Sequence, residues 1–274
     1  MANFTTSDGL NLYYTDEGDG LPILCLAGLT RTTADFDYVT PHLVGNRLIK
    51  LDYRGRGQSD FDSDWQNYAL PVECRDVLEL LAHLSLDKVA ILGTSRGGLN
   101  AMGLAAGAKD RLLGIAMNDV GPVIEPEGID AIRVYIGRNP AAKTHEEAAA
   151  AFPHIFTHFE GVPESRWLEE ARKHYVQTDS GLKITYDPHL RDAVLAAMDQ
   201  PSPDLWPFFD AMAGLPLALV WGANSNLLSA QTVEEMQKRR PDMILGEVPG
   251  RGHVPFLDEP QAVDALHKWI GQMQ

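Results

Sequence analysis

The chain has 274 residues, 45% of them apolar, and carries 38 acidic against 23 basic side chains, a formal net charge of −15. This length and apolar content suit one large α/β unit or two small domains, and exclude a disulfide-stapled mini-protein. So acidic a chain is poorly suited to gripping phosphate backbones or anionic lipid, so neither nucleic acid nor a membrane is an expected partner. The sequence does not indicate the oligomeric state.

The two cysteines, Cys25 and Cys74, fall in apolar-periodic segments without CxxC or zinc-like spacing, and read as buried free thiols. Residues 1–6 have no basic n-region and no apolar h-region. No apolar run approaches the about 18 residues of a membrane span. A soluble, reduced, cytoplasmic protein is expected.

In chain order, short stretches near Phe4 and Leu12 suit an antiparallel hairpin at a sheet edge. Residues 23–27 form an apolar strand ending at Gly28, and residues 48–52 another, closed by the turn 54–57. A helix follows, with Cys74, Val77, Leu78, Leu81 and Leu84 at helical spacing and acids on its other side. Next come a strand at 89–93, a helix from about Arg96 and a strand at 112–118. Further on, residues 217–221 and 243–248 read as strands. Ser229 is placed as an N-cap between them, and Pro260 opens a terminal helix at its tolerated first position. Apolar strands alternating with helices imply a mostly parallel sheet covered on both faces. Residues 122–206 break the alternation. They read as short helices with proline breakers and many aromatics, a helical cap inserted near one sheet edge. The domain reading is therefore a core of 1–121 and 207–274 with a cap of 122–206; a separate helical domain is the alternative.

The sharpest motif is G-x-S-x-G at Gly93, Ser95 and Gly97, after an apolar strand and at a helix start. A serine on so tight a turn is held with its hydroxyl clear of the backbone, beside unpaired helix N-terminal N–H groups. A phosphate-binding turn, or a merely tight βα turn without chemistry, is the plain alternative. A serine nucleophile needs a base. His253, in a glycine-flanked loop between the last strand and the terminal helix, fits best. His154 and His158 share a metal-ligand spacing but lack a third ligand, so no metal is expected. His42, His83, His145, His174, His189 and His267 read as surface or packing residues. An oxyanion hole would take the N–H of Arg96, after the nucleophile, and that of Leu29, in the loop at Gly28.

These features, with the segment 52–59, the Gly222 loop and Gly252–His253, resemble the α/β-hydrolase superfamily, close to its capped esterase, lactonase and haloperoxidase-like group. The resemblance covers nearly all of the chain except the cap. It implies a mostly parallel eight-stranded sheet flanked by helices, the order Ser…acid…His, and cofactor-free hydrolysis through an acyl-enzyme. Many members have His-Gly where this chain has Ala27-Gly28. Epoxide hydrolysis and dehalogenation, as the family performs them, need aspartate in place of Ser95.

The family sets its acid in the loop after the penultimate strand, and there the aligned residue is an amide, Asn226. Three readings follow, in order of preference. Asn226 replaces an aspartate and impairs the enzyme; Asp119, at the end of the strand 112–118, supplies the acid instead; or the protein works with Ser–His–Asn. The expected substrate is a small to medium carboxylic ester or lactone, met by Gly28, Trp221, Leu227 and Val254 under an aromatic cap. Carbon–carbon bond or thioester hydrolysis by the same machinery is the alternative, and a ligand-binding non-enzyme of this fold is another. Arg31, Arg54, Arg56 and Arg96 are open as partners for a substrate carboxylate, Arg96 alternatively pairing with the cap.

Overall fold

The computed structural model describes residues 2–274. Strands β1 (Ala2–Thr5) and β2 (Asn11–Glu17) pair as an antiparallel hairpin. Strand β3 (Leu21–Leu26) lies parallel to β4 (Asn46–Leu51). Helix α1 (Leu70–His83), strand β5 (Val89–Thr94), helix α2 (Arg96–Ala108) and strand β6 (Leu112–Asn118) follow. The chain then leaves the sheet for helices α3 (Pro126–Tyr135), α4 (His145–Ile155) and α5 (Glu164–His174), strands β7 (Tyr175–Thr178) and β8 (Gly181–Ile184), and helices α6 (Leu190–Met198) and α7 (Trp206–Asp210). It returns through β9 (Leu217–Gly222), α8 (Ala230–Arg239), β10 (Ile244–Val248) and α9 (Pro260–Ile270).

The eight sheet strands run in the order β1-β2-β4-β3-β5-β6-β9-β10, and β2 alone runs opposite to the other seven. Alternation of side chains along each strand feeds two cores. Leu24, Leu26, Ile91, Ile115 and Leu219 join one, with Val77 and Leu81 of α1 and Leu104 of α2. Ile23, Cys25, Leu92, Ala116 and Val220 join the other, with Leu266 and Trp269 of α9. Strands buried on both faces explain the near-continuous apolar runs.

The strand order turns back at β3, with β4 on one side and β5 on the other. The loops after β3 and β5 therefore diverge and open a crevice at the carboxyl end of the sheet, where open α/β sheets bind ligands.

Two expectations are corrected. The insertion between β6 and β9 is not purely helical: β7 and β8 form an antiparallel hairpin, with Gly181 at φ +118° closing the turn. The acids of α1 do not all face water. Glu73 and Asp76 are buried at 0% and 1% exposure, because buried arginines neutralise them. Helical periodicity sorts apolar from polar residues and cannot foresee a buried ion pair.

Candidate active site

Ser95 sits between β5 and α2 with φ +50° and ψ −110°, a conformation that L-residues rarely adopt. Close packing imposes it. A Cβ on Gly97 would lie 2.0 Å from the Leu26 carbonyl oxygen, and one on Gly93 would lie 2.5 Å from the Gly97 backbone. The Ser95 N–H donates to the Asn118 carbonyl at 2.9 Å, tying the turn to the end of β6.

His253 follows β10, and its Nε2 lies 2.9 Å from Ser95 Oγ. Its Nδ1 lies 2.7 Å from Asp119 Oδ2. Asp119 is the residue after β6. It has φ +54° and no solvent exposure, and its N–H donates to Val220 O. Its Oδ1 accepts the Gly222 N–H at 2.8 Å, and its Oδ2 also accepts the Ser225 hydroxyl at 2.6 Å. A carboxylate with three donors is held in one orientation and fixes the imidazole tautomer that leaves Nε2 free to accept from the serine.

The preferred reading of the acid position is therefore corrected: Asp119, not Asn226, meets the imidazole. Asn226 lines the adjoining cavity instead. The loops after β6 and β9 leave neighbouring strands, so either could have carried the acid. Here the β9 loop contributes Ser225, whose hydroxyl clamps Asp119 and accepts the N–H groups of Leu227 and Leu228.

On the other side of Ser95, the loop after β3 brings Gly28 close. A Cβ there would lie 3.9 Å from Ser95 Cβ and 3.2 Å from Arg31 Cγ. Leu29 follows in this loop, and Arg96 begins α2. Among the described residues neither the Leu29 N–H nor the Arg96 N–H donates a hydrogen bond.

Ser95 and His253 open into a cavity of about 440 Å³ between the sheet end and the insertion. Gly28, Leu227 and Val254 line it, with Ile132, Phe156 and Tyr186 from the insertion. Trp221 does not, which corrects its placement as a substrate contact. Its indole packs in the sheet core and donates to Leu228 O at 2.9 Å. His174 is corrected in the other direction: it lines the cavity.

One wall is ionic. Arg31 bonds Asp35 at 2.7 Å and, across the boundary with the insertion, Glu170 of α5 at 2.7 Å. Burial would raise the Glu170 carboxyl, but the Arg31 guanidinium, above all, holds it down to about 2. Burial pushes Asp35 up to about 6 in spite of Arg31. Burial and then the Arg31 charge push His174 down to about 3, so it is neutral at physiological pH. The other arginines serve the frame. Arg54 is wholly buried against Asp76, Asp62 and Asp8. Arg56 and Arg96 both meet Glu73 of α1, so Arg96 pairs with the core and not with the insertion.

Residues 22–260 match the family described as the alpha/beta hydrolase fold, and the chain belongs to this family. Over 259 residues it is 37% identical to the 3-hydroxybutyrate-oligomer hydrolase of Cupriavidus necator, covering 91% of this chain and 88% of that protein. It is 26% identical over 249 residues to the 2-(acetamidomethylene)succinate hydrolase of Mesorhizobium japonicum, covering 89% and 85% of the two chains. The crystal structure of an alpha/beta hydrolase from Novosphingobium aromaticivorans superposes with a TM-score of 0.92 at 36% identity, covering 99% of this chain and 97% of that one. Hydrolase relatives along nearly the whole length make this chain an enzyme of alpha/beta-hydrolase type.

Proposed function

We propose that the protein is a cofactor-free serine hydrolase that cleaves short esters of hydroxy acids through an acyl-enzyme, with Ser95 as nucleophile, His253 as base and Asp119 as acid. The observation that carries this reading is the unbroken chain Ser95 Oγ–His253 Nε2 and His253 Nδ1–Asp119 Oδ2 at the wall of a largely apolar cavity.

The steps follow from that geometry. Ser95 Oγ attacks the ester carbonyl while His253 takes its proton. The oxyanion develops beside the free N–H groups of Leu29 and Arg96, and Asp119 stabilises the imidazolium. Collapse breaks the bond to the alkoxide, which leaves with the proton from His253. A water molecule gives a proton to His253 and attacks the acyl carbon. Ser95 then departs with that proton and the acid is released. In this reading the insertion acts as a cap that excludes bulk water.

The substrate class rests on the cavity and on the relative named for 3-hydroxybutyrate oligomers. The inner wall pairs its guanidinium, Arg31, with both Asp35 and Glu170, so that group is not free for a substrate carboxylate. That pairing suits a neutral, hydroxyl-bearing acyl end better than a carboxylate. The carboxylate end of a short oligomer would then face the rim, where the exposed Arg138 lies. With a carboxylate on the imidazole, the impaired-enzyme and binding-module readings lose the amide that motivated them. Two unpaired thiols, Cys25 and Cys74, suit a reducing, cytoplasmic compartment.

The test is turnover of 3-hydroxybutyrate dimer and trimer, with fluorophosphonate labelling of the serine. Release of monomer, stoichiometric labelling of Ser95 and loss of both in Ser95→Ala are expected. A wild-type protein that takes no label would overturn the reading.

A further inference from the structure

Glu73 lies on α1 with no solvent exposure. Its Oε2 accepts Arg96 Nε at 2.8 Å and Asn100 Nδ2 at 3.0 Å. Its Oε1 lies 2.9 Å from Arg56 Nη2, an ion pair whose N–H is not aligned for a hydrogen bond. Arg56 is itself wholly buried, and its Nε donates to the Leu29 carbonyl at 3.0 Å. Its Nη1 donates to Arg54 O at 2.7 Å. Arg96 also reaches Tyr68 O through Nη2 at 3.1 Å.

One carboxylate is thus tied to both residues that the proposed mechanism uses as oxyanion donors. It reaches Arg96 directly, and it reaches Leu29 through the guanidinium of Arg56. The two residues each lie three positions beyond Leu26 and Gly93, the last residues paired between the adjacent strands β3 and β5, so the ladder anchors the start of both loops but does not pair the two residues themselves. Stability is a weak reason for such a cluster, since buried ion pairs are often no better for stability than apolar residues of the same volume. An oxyanion hole gives a strong reason. Its donors stabilise charge only when both are held at hydrogen-bond distance from one oxygen before the charge forms.

We propose that Glu73 is a positioning residue that holds the Leu29 and Arg96 oxyanion donors in fixed relation around the Ser95 hydroxyl. This rests on the serine-hydrolase reading, which wild-type labelling of Ser95 tests separately. Glu73 touches no substrate; it acts through Arg96 and Arg56.

The experiment compares Glu73→Gln, Arg56→Lys and Arg96→Met with wild type. Arg96→Met keeps the backbone N–H and removes only the tethering side chain. For each, active sites are counted by endpoint fluorophosphonate titration. The constants kcat and KM and the inhibition constant of a trifluoromethyl ketone, whose hemiketal carries an oxyanion, are then measured per titrated site. The proposal expects kcat to fall about 10- to 100-fold and the inhibition constant to rise by the same factor, with KM within about twofold. A purely structural role lowers the melting temperature and the titratable fraction but leaves inhibition per active site at the wild-type value, and that result overturns the proposal. Should Glu73→Gln not fold, Arg96→Met decides alone: weaker ketone inhibition supports the proposal, and unchanged inhibition overturns it.

Discussion

The Ser225 hydroxyl donates at 2.6 Å to Asp119 Oδ2, the same oxygen that lies 2.7 Å from His253 Nδ1. The loop in which a sequence alignment seeks the acid therefore supplies a clamp for a carboxylate carried by the neighbouring strand. Asp119→Asn should lower kcat by about 10⁴, the size of the effect when a serine protease loses this carboxylate. Asn226→Asp should change kcat by less than about threefold, because it does not meet the imidazole. Steady-state kinetics on an aryl ester check both. A large gain in Asn226→Asp would return the acid role to the β9 loop.

The backbone at the Ser95 turn is constrained by contact. Gly97→Ala puts a methyl group 2.0 Å from Leu26 O and should cost about 3 kcal/mol or more, with loss of Ser95 labelling. Gly107, near the end of the same helix, has open space around a Cβ. Gly107→Ala should stabilise by about 0.5 kcal/mol through helix propensity, with activity unchanged. Urea unfolding of the pair measures the contrast.

His174 provides a pH prediction. Its folded pKa of about 3 lies below the ordinary 6.5. The fold therefore favours the neutral ring, a contribution fully present above pH 6.5 and lost as pH falls through 3. Glu170, also depressed, adds a loss between 4.5 and about 2, whereas Asp35, raised to about 6, works in the opposite sense between 3.8 and 6. His174→Gln should flatten the fall of unfolding free energy between pH 6.5 and 3. A His174 ring signal that titrates near pH 6.5 by NMR would contradict this.

Substrate polarity is tested at the rim. Arg138→Ala should raise KM several-fold for the free acid of a 3-hydroxybutyrate dimer and leave KM for its methyl ester unchanged, if the carboxylate end faces outward. Equal effects on both esters would remove Arg138 from recognition.

Most of the frame was legible because its causes are local. Apolar runs of strand length, the glycines around Ser95 and the proline opening α9 act within a few residues of themselves. They announced the parallel sheet, the tight turn that holds Ser95 and the loop that carries His253. The hairpin β7–β8 was less visible, since its half-exposed residues carry no apolar alternation strong enough to separate it from the adjoining helices.

What the sequence by itself determined is the set of groups that local backbone geometry presents: a serine on a strained turn, a histidine on a glycine-flanked loop, and strands apolar on both faces. Only the tertiary structure decided which groups meet. It chose Asp119 over Asn226, buried Glu73 between Arg56 and Arg96, and drew His174 into the cavity while Trp221 stayed in the core. The physical reason is distance along the chain. Asp119 and His253 are 134 residues apart, and Arg31 and Glu170 are 139 apart, so no periodicity links them. Their pairing follows from strand order and from the demand that each buried charge find an opposite charge or a donor.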